Sequence, residues 1–363
     1  MAISSVVFSF SNITPANAIV TRDDVDPTSV LDTGNNWPAV GTVMTNSPYI
    51  NFGTGILINP RTILTAAHLF NAFSLADVSS EDYLGGGYGI VVSLEPQVSA
   101  PFINATDLVF HPDNILNTVG NNWIVADLAL VSLSEPIGNI SSMPLLLSGV
   151  EVGMEAELIG YGVYGSGSTG PTGIDGRRRV GENVLGFIGT LGQVGFSGFP
   201  DQELLFTDFD DPLNGINLFN SDNALPNEAA PGGGDSGGPL VLTFGNQRLV
   251  CGVLSGGDQP VVYGTPSFWQ PLYLFSDFIA ENNPYKFVNA KEGDGTCTDP
   301  EHWVQILDPG YFIINGSGQV ENGLPTSTGG STDGPEGPGS TGFVPNNTDG
   351  VVGVAYENPA CYF

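Results

Sequence analysis

The stretch Gly233-Gly234-Asp235-Ser236-Gly237-Gly238-Pro239 decides the reading of this chain. Glycine adopts backbone conformations that a Cβ forbids, so a serine set among glycines can present its hydroxyl at the floor of an open cleft. A serine hydroxyl is a weak nucleophile near neutral pH and needs an adjacent general base. The chain has three histidines, His68, His111 and His302. His68 closes Thr65-Ala66-Ala67-His68, shortly after the apolar run Gly55-Ile56-Leu57-Ile58, and is the candidate base. Such a base works best beside a buried carboxylate that fixes its tautomer and stabilises its cation. Asp127 opens the apolar run Leu128-Ala129-Leu130-Val131. An aspartate there is costly unless it is hydrogen-bonded, which makes it the candidate third member.

Together these stretches resemble the chymotrypsin/trypsin-like serine peptidases, in their secreted, bacterial form with few disulfides. The resemblance is carried by Gly233–Pro239, by Gly53-Thr54-Gly55-Ile56-Leu57-Ile58 with Thr65–His68, and by Ala126–Val131. The chain order His68, Asp127, Ser236 matches this family and differs from the subtilisin and α/β-hydrolase orders. Gly160-Tyr161-Gly162 is similar to the Gly-Trp-Gly turn that opens the family's second barrel. Gly252-Val253-Leu254-Ser255-Gly256-Gly257 is similar to the strand that holds substrate backbone. The resemblance covers roughly residues 37 to 283.

The resemblance implies a catalytic triad of His68, Asp127 and Ser236, with the Gly234 and Ser236 N–H groups as the oxyanion hole. It implies that Ser255 hydrogen-bonds Asp127 and that Ser255, Gly256 and Gly257 line the cleft, pairing with extended substrate. Ala230 falls at the base of the primary pocket, where no aspartate stands, so cleavage after small or apolar residues is expected. His111 falls in a surface loop without a catalytic role. In the family an Ile-Val terminus inserts and pairs its ammonium with the aspartate before the serine; the matching residues are Ile19 and Asp235. The other reading of residues 19–36 is an acidic surface strap.

Animal relatives bridge the histidine loop with a disulfide; Gly53 and Leu69 stand at the two positions, and Gly232 replaces the usual cysteine of the nucleophile loop. Cys251 is expected as a buried thiol, and Cys297 with Cys361 as a disulfide that closes a long loop of the tail. Asp77, Glu81 and Asp82 lie where some relatives bind structural calcium, the alternative being a solvated acidic loop. The chemistry requires no cofactor, and the Cys and His spacing offers no zinc site.

The 38 acidic residues against 8 basic ones give a net charge of −30. Such a surface disfavours nucleic acid and anionic membrane. It suits a secreted protein in salt that screens self-repulsion. The expected partner is a protein or peptide substrate, and the expected state a monomer. Residues 1–18 read as an export signal, with the apolar run Ile3–Phe10 and Ala16-Asn17-Ala18 before the cut, although the basic n-region is missing.

Between about residues 38 and 275, short β-prone runs alternate with Gly, Pro, Asn and Asp, which argues an all-β fold. With the resemblance, this becomes two antiparallel six-stranded β-barrels at about 37–140 and 150–274. A short helix, Phe275–Asn283, closes the 19–283 peptidase domain, with Ser276 as its N-cap. Residues 284–363 form an extension, with a hairpin at Tyr311–Ile314 and Gln319-Val320 and a Gly/Pro/Ser/Thr-rich stretch near 325–350. Trp303 and Tyr311 serve either a small binding module or packing on the barrel. Three motifs are discounted: Asp32-Thr33-Gly34 lacks the second copy that a carboxylate dyad needs, Gly165–Gly170 reads as a flexible loop and not a dinucleotide site, and Arg177-Arg178-Arg179 reads as an exposed loop and not a processing site. The reading is a secreted serine endopeptidase; the alternatives are an inactive binding protein on the same scaffold and an esterase using the same triad.

Overall fold

The computed structural model describes residues 19–46, 50–70, 89–99, 101–114, 124–219, 224–283, 288–290, 303–305 and 310–325. The export signal, the Asp77/Glu81/Asp82 loop, His302, the Cys297–Cys361 pair and the Gly/Pro-rich stretch from 326 onward lie outside the described residues.

After a short strand β1 (Ile19–Thr21) come β2 (Val40–Asn46), β3 (Ile50–Asn59), β4 (Thr62–Thr65), β5 (Gly89–Ser93), β6 (Ile103–Phe110) and β7 (Ala129–Leu133). These six form a closed antiparallel barrel in the order β2-β3-β4-β7-β6-β5. Residues on both faces of its strands, among them Val43, Ile56, Ile63, Leu64, Leu108, Leu130 and Val131, are fully or almost fully buried. Each such side chain contributes about 1.5–3 kcal/mol on burial.

The second half holds β8 (Leu145–Leu146), β9 (Glu155–Gly160), β10 (Val163–Ser166), β11 (Gly170–Ile174), β12 (Arg179–Val184) and β13 (Phe187–Gly189). It continues with β14 (Leu204–Asp208), β15 (Ala229–Ala230), β16 (Pro239–Phe244), β17 (Gln247–Gly257) and β18 (Pro266–Pro271). The main sheet runs β12-β9-β16-β17-β18-β14-β13. Its first and last strands are two pieces of one bent segment, broken only at Leu185 and Gly186. The Leu185 N–H bonds Met154 O at 2.9 Å and the Gly186 N–H bonds Phe206 O at 2.9 Å, which hands the chain from one side of the sheet to the other. The sheet therefore curls round on itself as the second barrel, about a core of Leu158, Leu205, Leu240, Leu242, Cys251, Leu254 and Trp269. Cys251 is a free, buried thiol.

Three expectations change. Ser276 is not an N-cap: a 3-10 turn at Leu272–Phe275 runs directly into helix α1 (Ser276–Asn282), whose first residue is Ser276. Gly165–Gly170 is no flexible loop. It is the turn of the β10–β11 hairpin, held because β1 pairs in parallel with β10 and antiparallel with β15. Arg178 and Arg179 are not exposed but about 1 % and 0 % accessible. Arg178 Nε meets Asp32 Oδ2 at 2.8 Å, and its Nη1 donates to Val40 O at 2.9 Å and to Tyr161 Oη at 3.0 Å. Asp32 in turn accepts the N–H groups of Asn36 and Trp37. Arg179 pairs with Asp175 at 3.1 Å and donates to Pro27 O. Residues 22–37 thus lie over the two arginines and tie both barrels together.

Within the 284–363 segment, β19 (Val288–Ala290) pairs with β20 (Trp303–Gln305), and β21 (Tyr311–Ile314) pairs with β22 (Val320–Asn322). Strand β21 also pairs in parallel with β8 in the link between the barrels. Tyr311 is buried there, and its hydroxyl accepts from Asn283 Nδ2 at 2.8 Å. The hairpin packs on the barrels and extends their sheet.

Candidate active site

His68 stands in a single 3-10 turn, Ala67–Phe70, at the end of β4. The turn is held by packing: a Cβ on Gly53 would lie 2.4 Å from Leu69 Cδ1, so the leucine fills the space left by the missing side chain. The His68 backbone N–H donates to Asp127 Oδ1 at 2.8 Å, and Nδ1 meets Asp127 Oδ2 at 2.7 Å. Since a carboxylate only accepts, Nδ1 carries the proton and Nε2 is left as the basic nitrogen. Burial works against the imidazolium, but the Asp127 charge and hydrogen bond more than offset it, so His68 stands above the usual histidine range.

Asp127 is fully buried just before β7. Ala126, before it, has φ +47°, a left-handed conformation that costs an alanine about 1 kcal/mol or more. This kink turns Asp127 inward, and the Leu128 N–H closes it on Ala126 O at 2.7 Å. A third donor, Ser255 Oγ, reaches Asp127 Oδ2 at 2.8 Å.

The nucleophile loop is anchored from both barrels. Thr54 N–H donates to Ser236 O at 2.8 Å and Thr54 Oγ1 donates to Gly234 O at 3.0 Å. Gly237, at φ +83°, is pressed so closely that a Cβ would lie 2.2 Å from Thr54 O and from Thr65 Oγ1. Gly237, next to half-buried Ser236, is therefore held against Thr65 and the Ala66 N–H. Gly237 and Asp235 turn their N–H groups inward, to Leu254 O and Gly232 O. Among the described residues the N–H groups of Gly234 and Ser236 have no protein acceptor, so two donors flank the serine hydroxyl.

Asp235 is about 1 % exposed, with Gly162 N–H on Oδ1 at 2.7 Å and Gly232 N–H on Oδ2 at 2.8 Å. Cβ atoms on Gly160 or Gly162 would run into it at 2.0 and 2.5 Å, which is why the Gly160-Tyr161-Gly162 turn needs both glycines. Burial pushes its carboxyl up to about 7, the two N–H groups and Arg179 pulling the other way. Ile19 is fully buried and lines the same small cavity as Asp235, Leu158, Trp269 and Pro231.

Ala230 lies in an apolar cluster with Val20, Phe209 and Val261, flanked by Tyr263. Gly256 and Gly257 are half-exposed and pair with Phe268 and Ser267 of β18. Strand β16 pairs with β17 only as far as Val253, so among the described residues the other side of Ser255–Gly257 has no strand. His111 is set apart from the site, packed edge-on against Phe275 and Phe278 at 5.1 and 4.9 Å. Among the described residues no group of three or more His, Cys, Asp or Glu could hold a metal.

Sequence reasoning missed Gln202 and Gln270. Gln270 is fully buried on β18, and its Nε2 donates to Ser255 Oγ at 2.9 Å and to Ile124 O at 2.7 Å. Gln202 Nε2 donates to Gln270 Oε1, and Gln202 Oε1 accepts the Ala126 N–H at 2.8 Å. The available signal was a glutamine inside Phe268-Trp269-Gln270-Pro271-Leu272, a buried polar group in an apolar run like Asp127.

The family model described as Trypsin matches residues 31–173. That stretch includes His68 and Asp127 and ends before Ser236. No curated protein matches the chain.

Proposed function

We propose, from the match of residues 31–173 to the Trypsin family model, that the chain is a secreted trypsin-like serine endopeptidase acting through an acyl-enzyme on Ser236. The observation that carries this reading is the Asp127 carboxylate, buried and bonded at once to His68 N, His68 Nδ1 and Ser255 Oγ, with the Ser236 carbonyl held by the Thr54 N–H of β3. Ser236 Oγ attacks the scissile carbonyl while His68 Nε2 takes its proton. The carbonyl oxygen, now anionic, receives the Gly234 and Ser236 N–H groups. His68 then returns the proton to the departing amine, and water repeats the cycle on the ester. Because His68 must be neutral to begin, and Asp127 raises its affinity for a proton, activity rises with pH through a value above the usual histidine range.

The apolar surroundings of Ala230 support a preference for small or apolar residues before the cut. The open edge at Ser255–Gly257 supports extended peptide as the substrate. Export directed by residues 1–18, with a cut after Ala18, would free the Ile19 amine beside Asp235. The shared cavity supports this activation route, since a buried carboxylate gains most from a cation placed against it. A monomeric enzyme that needs no cofactor completes the proposal. Incubation of an unstructured protein such as casein with the mature chain tests it: cleavage that disappears in His68→Ala is expected, and intact casein refutes the reading.

A further inference from the structure

We propose that Gln270, braced by Gln202, is a positioning residue that sets the direction of the Ser255 hydroxyl and thereby the acceptor strength of Asp127 toward His68. This rests on the endopeptidase reading above for its kinetic consequence, though not for its geometry. The amide orientations follow from backbone groups whose roles are fixed. The Ala126 N–H can only donate, so Gln202 presents Oε1 to it at 2.8 Å and Nε2 to Gln270. Ile124 O can only accept, so Gln270 presents Nε2 to it at 2.7 Å and Oε1 to Gln202. Both Nε2 hydrogens of Gln270 are then used, one on Ile124 O and one on Ser255 Oγ at 2.9 Å.

Ser255 has a single hydroxyl proton. With Gln270 donating to its oxygen, that proton is left to Asp127 Oδ2 at 2.8 Å, the same oxygen that holds His68 Nδ1 at 2.7 Å. The hydroxyl of Ser255, a residue about 2 % exposed, is kept from turning away from the carboxylate. The other end of the relay holds the Ala126 N–H in the left-handed kink that aims Asp127 inward. One pair of neutral amides therefore braces the acid from two sides, through its hydrogen-bond donor and through its backbone.

The test is Gln270→Met in the full chain, which keeps the volume and removes both donors, with Gln202→Met as a second variant at the half-buried end. Two readouts are taken: kcat and KM separately on a peptide substrate, and the downfield proton resonance of the His68 Nδ1–H by NMR, which needs no turnover. The proposal expects kcat to fall roughly tenfold in Gln270→Met and less in Gln202→Met, with KM within about twofold. It also expects the His68 Nδ1–H signal to move or broaden in both. An unchanged signal and unchanged kcat in folded Gln270→Met overturn it, as does a change confined to KM. If Gln270→Met does not fold, Gln202→Met decides by the same two readouts. An inactive wild type whose His68 signal nonetheless shifts in the variants sinks the endopeptidase reading and leaves the positioning role standing.

Discussion

Replacing Asp235 by asparagine in the uncleaved chain should flatten the dependence of stability on pH between about 4 and 7. Asp235 is about 1 % exposed, and burial lifts its carboxyl from 3.8 to about 7 despite its two N–H donors and Arg179. The sign follows from the raised value. Between these limits the folded chain keeps a proton that the unfolded chain has released, so stability falls as pH rises across the window. The gap corresponds to about 4 kcal/mol at its upper end, at 1.36 kcal/mol per pH unit. Glu228, buried and also raised to about 7, adds a slope of the same sign to both proteins, so the difference between them isolates Asp235. Asparagine also turns an amide N–H₂ toward Gly162 or Gly232, which lowers stability at every pH; the slope, not the level, carries the test. Urea midpoints measured from pH 4 to pH 8 give it. Parallel slopes for wild type and Asp235→Asn would refute the reasoning. In chain cut to begin at Ile19, an ammonium beside the carboxyl keeps it ionised, and the loss of stability across this window should vanish.

Three further outcomes follow from the same structure. Arg178→Met strands the buried Asp32 carboxylate and should cost about 3–5 kcal/mol in urea unfolding; a loss under about 1 kcal/mol would mean that the strap over the arginines does not hold the barrels. Gly237→Ala forces a methyl group into Thr54 O and Thr65 Oγ1 at φ +83°, so it should cost at least about 2 kcal/mol and abolish activity; an active, equally stable variant contradicts the packing of the nucleophile loop. A peptide-library profile should be dominated by small or apolar residues before the cut, and one dominated by arginine would show that Ala230 does not form the base of the primary pocket.

The parts of this account legible in the sequence are those whose chemistry is local. A serine among glycines, a histidine after Thr65-Ala66-Ala67 and an aspartate before an apolar run each declare themselves within a few residues. Arg178 was misjudged because three consecutive arginines look like an exposed loop, while its burial depends on Asp32 and Asn35, more than 140 positions away. Asp32-Thr33-Gly34 revealed its use only through that same arginine. The Gly165–Gly170 segment is flexible by composition and becomes a hairpin because β1 supplies a neighbour. Gln202 and Gln270 leave no motif, since a neutral amide earns its place only by what stands opposite it in space.

Reaction with a fluorophosphonate probe tests the central claim most directly. The mature wild-type chain should carry one covalent adduct, mapped by peptide mass spectrometry to Ser236, and Ser236→Ala should carry none. Absence of labelling in folded chain that begins at Ile19, or an adduct mapped to another residue, would contradict it.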